Sequence, residues 1–93
     1  MSAAPSVVAA RFGAKLRAVR LKAGVSQERL ADLAGLHRTY VSGVERGLRN
    51  ISLENIDRLA RALDVDMAAL VPSRGELAGP TQAAGPSRRP TRS

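Results

Sequence analysis

The 93-residue sequence contains no cysteine, one histidine and two aromatic residues. A chain without cysteine forms no disulfide and offers no thiolate to a metal ion, and one histidine does not make a protein metal site by itself. Because Phe12 and Tyr40 are the only aromatic residues, leucine, valine, isoleucine and alanine must build the hydrophobic core. The sequence therefore predicts no metal site and no cofactor.

Signals for membranes, export and catalysis are missing as well. No apolar run approaches the roughly 20 residues that a membrane-spanning helix needs, so no membrane partner is expected. The first residues, MSAAPSVVAA, lack the basic start of a signal peptide, and a cytoplasmic protein is predicted. Because neither clustered titratable groups nor a phosphate-binding glycine loop is visible, the sequence argues against an enzyme.

Positive charge is abundant, with a formal net charge of +7. Residues 1–72 hold 11 basic and seven acidic residues, a net charge of +4, whereas residues 73–93 hold four arginines and one glutamate, a net charge of +3. This balance favours a polyanion such as nucleic acid as the partner, but net charge carries no information about sequence specificity.

The stretch from Ser26 to Gly47 has the pattern of two short helices joined by a tight turn. Ser26 is a suitable N-cap, and Gly35 can take the left-handed conformation that ends a helix without steric cost. Two short helices with a glycine in the turn predict a helix-turn-helix. The polar face of the second helix then presents three side chains that can reach base edges and phosphates in a DNA groove: Arg38, Thr39 and Ser42.

Apolar spacing and stop signals predict further helices on both sides of this motif. The first helix begins near Val7, and its apolar stripe is Val8, Phe12, Leu16, Val19 and Ala23. Ser52 caps a fourth helix, whose inner stripe is Leu53, Ile56, Leu59, Ala60 and Leu63. Asp66 can cap a final short helix, Met67 to Val71.

These elements predict an all-α fold, a compact five-helix DNA-binding domain over residues 7–72. Residues 1–6 are expected to form a flexible arm. Residues 73–93 are rich in glycine, proline, serine and arginine, and they cannot bury enough apolar surface to offset their ordering entropy. We therefore predict a disordered basic tail there.

Several linked blocks of residues resemble the lambda-repressor-like family of helix-turn-helix proteins, the phage Cro and repressor type, also called XRE-type. The blocks are L-R-x-x-R-x-x-x-G in the first helix, V-S-Q-E-x-L-A-x-x-A-G-L through the second helix and the turn, V-S-x-V-E-R-G in the third helix and L-A-x-A-L-D-V in the fourth. The resemblance covers about two thirds of the chain and implies a transcriptional regulator that binds DNA.

The segment H-R-T-Y-V-S-G-V-E-R-G-L-R-N-I-S-L is similar to one subgroup, the small controller proteins of restriction–modification systems. Such proteins bind operators near their own promoter as dimers and act as activators or repressors. The resemblance implies three partners: double-stranded DNA with a pseudo-palindromic operator, a second copy of the chain, and RNA polymerase at the regulated promoter. The long basic tail is not typical of the subgroup.

Arg38 is the leading candidate for base recognition. It lies in the first turn of the helix that enters the major groove, where an arginine can bond guanine O6 and N7 together. The alternative is a phosphate contact that carries no sequence information. Thr39 and Ser42 lie on the same face and are the other candidate base contacts. Gly43, inside the same helix, indicates a close approach by DNA or by a packed helix.

The resemblance implies backbone contacts from residues around the recognition helix: Gln27, His37, Tyr40, Arg46, Arg49 and Asn50. In the family, the residue that matches Gln27 bonds a phosphate and packs toward the start of the recognition helix. Two alternatives stay open, since the Tyr40 ring can belong to the core and His37 can cap its helix. The resemblance also implies a structural ion pair between Arg20 and Glu45.

Apolar residues near the end of the predicted domain exceed what a small bundle easily buries: Leu63, Val65, Met67, Leu70 and Val71. An ordinary core role is the alternative to a two-fold dimer interface, which is expected because symmetric dimers of this motif bind half-sites about one helical turn apart.

A rival function is an antitoxin that binds a toxin protein through a flexible terminal segment. The near absence of apolar anchors in the tail argues against it.

Overall fold

The structure, a computed structural model, describes residues 6–78 of the chain, and every regular element in this part is helical. Five α-helices and one 3₁₀ turn follow each other in the order α1 (Val7–Lys22), α2 (Gln27–Ala34), α3 (Arg38–Glu45), α4 (Leu53–Leu63), the 3₁₀ turn (Met67–Ala69) and α5 (Arg74–Ala78). The predicted all-α fold with five helices is confirmed, although the fifth α-helix is not the one that the sequence predicted.

Local hydrogen bonds set the helix starts as the sequence predicted. The hydroxyl oxygens of Ser26 and Ser52 accept bonds from backbone N–H groups in the first turns of α2 and α4, at 3.0 and 3.1 Å. Gly35 ends α2 with φ of 72°, and Asp64 ends α4 with φ of 58°. His37 and Asp66 occupy the N-cap positions of α3 and of the 3₁₀ turn, but neither side chain makes a capping hydrogen bond.

The core lies between α1, α2, α3 and α4 and is made of aliphatic side chains, with Phe12 as its only fully buried aromatic residue. Its completely buried members come from every one of these helices and from the segment after the 3₁₀ turn: Leu16, Leu30, Val41, Val44, Leu59 and Leu70. Tyr40 packs against this core from its edge. Leu30, Val41 and Val44 therefore anchor both helices of the helix-turn-helix in the core.

The buried face of α1 differs from the predicted stripe. Val8 is 55% exposed and Ala23 is exposed, whereas Gly13 and Arg20 are buried beside Phe12 and Leu16. The cause is the contact with α3, because a Cβ atom on Gly13 would lie 2.2 Å from the Val44 carbonyl oxygen. Leu53 is also misplaced by the prediction, since as the first residue of α4 it is 71% exposed.

The folded part of the chain extends beyond the predicted boundary at residue 72. The segment Ser73-Arg74-Gly75-Glu76 forms a capping box, in which the Glu76 carboxylate accepts from the Ser73 N–H and the Ser73 hydroxyl accepts from the Glu76 N–H. Lys15 of α1 donates to Glu76 at 2.8 Å and to the Val71 carbonyl at 3.3 Å. These bonds hold α5 against α1, which corrects the predicted disorder for residues 73–78. The rest of the predicted tail, and residues 1–5 of the arm, lie outside the described residues.

The final helix predicted before this boundary is also shorter than expected. Only Met67–Ala69 is helical there, as a single 3₁₀ turn, and Val71 and Pro72 are outside it. The turn serves to bring Leu70 into the core, where its side chain is fully buried.

The attachment of α5 is expected to be sensitive to acid. The hydrogen bond from Lys15, followed by that from the Ser73 backbone, lowers the pKa of Glu76 from 4.5 to about 2. Because the attached state favours the ionised carboxylate, its stabilisation is complete above about pH 4.5 and is lost as the pH falls towards 2. In an NMR titration of the native-state amide signals, Glu76 should show its midpoint near 2.

The variant Lys15→Met is the matched control for this titration. It removes the largest cause of the shift, so the midpoint should rise towards 4.5. An unchanged midpoint in Lys15→Met would contradict the role of the α1–α5 ion pair.

Candidate nucleic-acid interface

The first turn of α3 presents polar side chains to solvent. His37, Arg38 and Thr39 are exposed, and Ser42, one turn further on, is half-buried. The opposite side of α3 carries Val41 and Val44 into the core. The predicted polar face is therefore open along the N-terminal half of the helix. Its arginine is a donor-only side chain in reach of any acceptor that approaches this face.

A buried ion pair fixes the other end of α3. The Arg20 Nε donates to Glu45 Oε2 at 2.6 Å, and the Arg20 Nη2 donates to Glu45 Oε1 at 3.0 Å. Each residue is 7% exposed. The remaining Arg20 nitrogen, Nη1, donates to the Val25 carbonyl at 2.9 Å. One guanidinium thus joins α1, the loop before α2 and the end of α3. Arg20 and Glu45 form the ion pair that the resemblance implied.

Gln27 belongs to the same network. Its Nε2 donates to Glu45 Oε1 at 3.0 Å, so its side chain points to the end of α3. The resemblance implied packing toward the start of α3, and this detail is wrong. The reason is electrostatic, because the Glu45 carboxylate can accept a further hydrogen bond beside those of Arg20. The carboxylate therefore accepts from α1 and from α2 together.

Tyr40 takes the core role that the sequence left open, and its hydroxyl bonds another helix. Its ring packs on the edge of the core, and its hydroxyl accepts a bond from Asn55 Nδ2 of α4 at 3.1 Å. The Arg49 guanidinium carbon lies 5.6 Å from the centre of the ring, within the range of a cation–π contact. Asn55 is not predicted from the sequence. The one available signal is general: the Tyr40 hydroxyl needs a hydrogen-bond partner when it is partly buried.

The close neighbour of Gly43 is the Arg49 side chain. A Cβ atom at this position would lie 3.2 Å from Arg49 Cγ and 3.4 Å from its Nε. Arg49 therefore crosses the middle of α3 and ends over Tyr40. Within the chain, the neighbour of Gly43 is therefore a side chain from the loop after α3 and not a packed helix. A close approach by DNA stays a prediction.

The segment after α3 supplies the other predicted backbone contacts, since Arg46, Arg49 and Asn50 are all exposed. A cleft of about 420 Å³ opens beside α3. Four predicted site residues line it together with three new ones: Gly35, Leu36, His37, Thr39, Tyr40, Arg49 and Asn55. No carboxylate lines it. Arg38, Ser42, Arg46 and Asn50 lie outside the cleft, so the predicted contacts spread over a wider face.

The predicted dimer residues divide into two groups. Leu63 and Leu70 are 7% and 0% exposed and fill the core of their own chain, which removes them as interface candidates. Val65 and Met67 are half-buried against the core, and Val71 is 43% exposed. Composition alone could not separate these roles, because core and interface leucines have the same side chain.

Residues 6–78 contain neither a cluster of metal-ligating side chains nor a helix suited to span a membrane. In this part of the chain, no three histidine, aspartate or glutamate side chains lie together as a metal site would require. None of its helices combines the length and the apolar character needed to cross a membrane.

Comparisons with known proteins agree with the geometry. Residues 16–70 match the helix-turn-helix family HTH_3. The control protein C.BamHI of Bacillus amyloliquefaciens is 54% identical over 55 residues, which are 58% of this chain and 68% of the relative. The control protein C.SmaI of Serratia marcescens is 42% identical over 60 residues, which are 64% and 71% of the two chains.

A solved structure gives the same result in three dimensions. The restriction-modification controller protein C.AhdI from Aeromonas hydrophila superposes with a TM-score of 0.66 and 55% sequence identity. The match covers 67% of this chain and 94% of the controller protein.

Proposed function

Because the chain belongs to the helix-turn-helix family, we propose that it is a sequence-specific DNA-binding transcriptional regulator of the controller type. The observation that carries this proposal is the exposed first turn of α3, with Arg38 and Thr39 open to solvent on a helix whose other end is fixed by a buried ion pair. A recognition helix needs both features, since its base-contacting end must be free and its orientation must be fixed.

In the proposed complex, α3 enters the major groove with its N-terminal end. Arg38 contacts a guanine through O6 and N7, and Thr39 and Ser42 contact neighbouring bases. The groups proposed for the sugar–phosphate backbone surround this helix: Gln27, His37, Tyr40, Arg46, Arg49 and Asn50. For Gln27, the amide hydrogen that does not face Glu45 is the donor that a phosphate would take.

A homodimer is part of the proposal, because one α3 helix contacts few base pairs and a two-fold dimer doubles the site. Of the original candidates, Val65, Met67 and Val71 keep surface for such an interface, and Val71 is the most exposed of them. Leu53, which has the highest exposed fraction among the large apolar residues of the described part of the chain, is a further candidate. Regulation at a promoter further implies RNA polymerase as the partner on which the bound dimer acts.

The variant Arg38→Ala tests base recognition. On the duplex that the unmodified protein prefers, we expect it to lose about 1–3 kcal/mol of discrimination at one position of each half-site. On duplexes already altered at that position, its affinity should change little. Fluorescence anisotropy with duplexes altered at single positions measures both quantities.

Arg46→Ala is the matched control for this experiment, because it removes the same charge from a proposed backbone contact. It should weaken binding to all duplexes by a similar factor and reduce the salt dependence. If Arg38→Ala behaved in the same uniform way, Arg38 would be a phosphate contact and the proposed base recognition would be wrong.

A further inference from the structure

The hydroxyl of Tyr40 is held by a residue from outside the helix-turn-helix. Asn55 lies in the first turn of α4, and its Nδ2 donates to the Tyr40 hydroxyl oxygen at 3.1 Å. The backbone of Asn55 is itself fixed, because its N–H donates to the Ser52 cap at 3.1 Å. The amide therefore reaches Tyr40 from a rigid position.

This bond decides which way the tyrosine proton can point. A phenolic hydroxyl has one hydrogen to donate and lone pairs that accept. Since the Asn55 amide fills a lone pair, the proton of Tyr40 is directed away from Asn55 and is available to another acceptor. Phosphate oxygens are acceptors only, so a hydroxyl fixed in this way is suited to them.

The surroundings of the ring favour the same ligand. Arg49 lies over the Tyr40 ring with its stem across Gly43, which places a positive charge above the face of the ring. The cleft in front of them is lined by further polar groups from His37 and Thr39, and none of its lining residues is acidic. A phosphate bound in this cleft would have the neutral Tyr40 hydroxyl and the cationic Arg49 side chain as donors.

We propose that Asn55 is a positioning residue for DNA binding. It holds the Tyr40 hydroxyl in the orientation in which this hydroxyl donates a hydrogen bond to a backbone phosphate in the cleft. The inference rests on the proposed DNA-binding function and adds a residue of α4 to it. Asn55 acts through Tyr40 and makes no contact with DNA of its own.

A double-mutant cycle tests this role with the full chain and the duplex that the unmodified protein prefers. Tyr40→Phe and Asn55→Ala should each weaken binding about tenfold, the loss expected for a hydrogen bond to a charged group. The double variant should bind no more weakly than Tyr40→Phe alone, because the phenylalanine ring has no hydroxyl to orient. Thermal unfolding of each variant, followed by circular dichroism, checks that the protein remains folded.

Asn55→Asp is a second variant that keeps the size of the side chain, and a carboxylate suits the first turn of a helix. The aspartate carboxylate accepts a hydrogen bond from the Tyr40 hydroxyl, whereas the Asn55 amide donates one to the hydroxyl oxygen. Binding should therefore fall further than in Asn55→Ala, and most of this extra loss should disappear in the Tyr40→Phe background. The part that remains, from charge repulsion, should shrink at higher salt.

Two outcomes overturn the proposal, and they can be told apart. If the losses of Tyr40→Phe and Asn55→Ala add fully in the double variant while Arg38→Ala still changes base preference, Asn55 does not act through Tyr40 and the proposed function stands. If the unmodified protein binds no duplex, the DNA-binding function and the role of Asn55 fail together.

Discussion

Replacing Glu45 with alanine is expected to lower the free energy of unfolding by about 3–5 kcal/mol. The change leaves the Arg20 guanidinium buried with the Val25 carbonyl as its one remaining acceptor, and it removes the acceptor of Gln27. The cost follows from the uncompensated buried charge and is not a measure of how much the intact pair stabilises the fold. Urea unfolding followed by circular dichroism gives the free energy directly.

Asp57→Ala is the matched control for this experiment. Asp57 pairs with Arg61 on α4 at 3.0 Å, but the Arg61 side chain is 80% exposed. Surface pairs of this spacing contribute roughly 0.3–0.5 kcal/mol, so the control should remain close to the unmodified protein. Equal losses in Glu45→Ala and Asp57→Ala would show that the Arg20–Glu45 pair does not fix the recognition helix.

Gly13→Ala is expected to destabilise the protein although alanine is the better helix former by about 1 kcal/mol. The added Cβ atom would lie 2.2 Å from the Val44 carbonyl oxygen and 2.5 Å from that of Glu45. Both are backbone atoms, so α1 must move away from the end of α3 and open the core. We expect a loss of about 3 kcal/mol, at the upper end of the usual cost of overpacking.

Gly43→Ala provides the comparison, since it is also a buried glycine inside a helix. There the Cβ atom would meet only the Arg49 side chain, at 3.2 Å, and that side chain can move. The free energy of unfolding should stay within about 1 kcal/mol of the original value. A Gly13→Ala protein as stable as Gly43→Ala would contradict the close approach of α1 and α3.

Local sequence patterns are sufficient to locate α1 to α4, because the causes of these helices lie within a few residues. Ser26 and Ser52 bond N–H groups three residues further on, and Gly35 adopts its conformation regardless of distant contacts. The start of α5 has the same kind of signal in Ser73 and Glu76, a capping box that the composition of the tail concealed. The composition argument failed there because it averages over residues.

Contacts between distant parts of the chain were harder to predict. Gly13 is buried because the end of α3 lies against it, and Leu70 is core because the 3₁₀ turn redirects the chain. Neither neighbour can be inferred from spacing. The same holds for the site, where periodicity located the exposed face of α3, whereas the bonds of Gln27 to Glu45 and of Tyr40 to Asn55 join separate helices. Arg20 and Glu45 were paired in advance only through the family resemblance.

Selection of binding sites from random duplex DNA by the full chain tests the central claim most directly. We expect the enriched sequences to share a two-fold symmetric motif whose half-sites lie about one helical turn apart. Selection with Arg38→Ala should relax one position in each half-site. A selected pool that cannot be distinguished from the starting pool would contradict the proposal that α3 recognises DNA sequence.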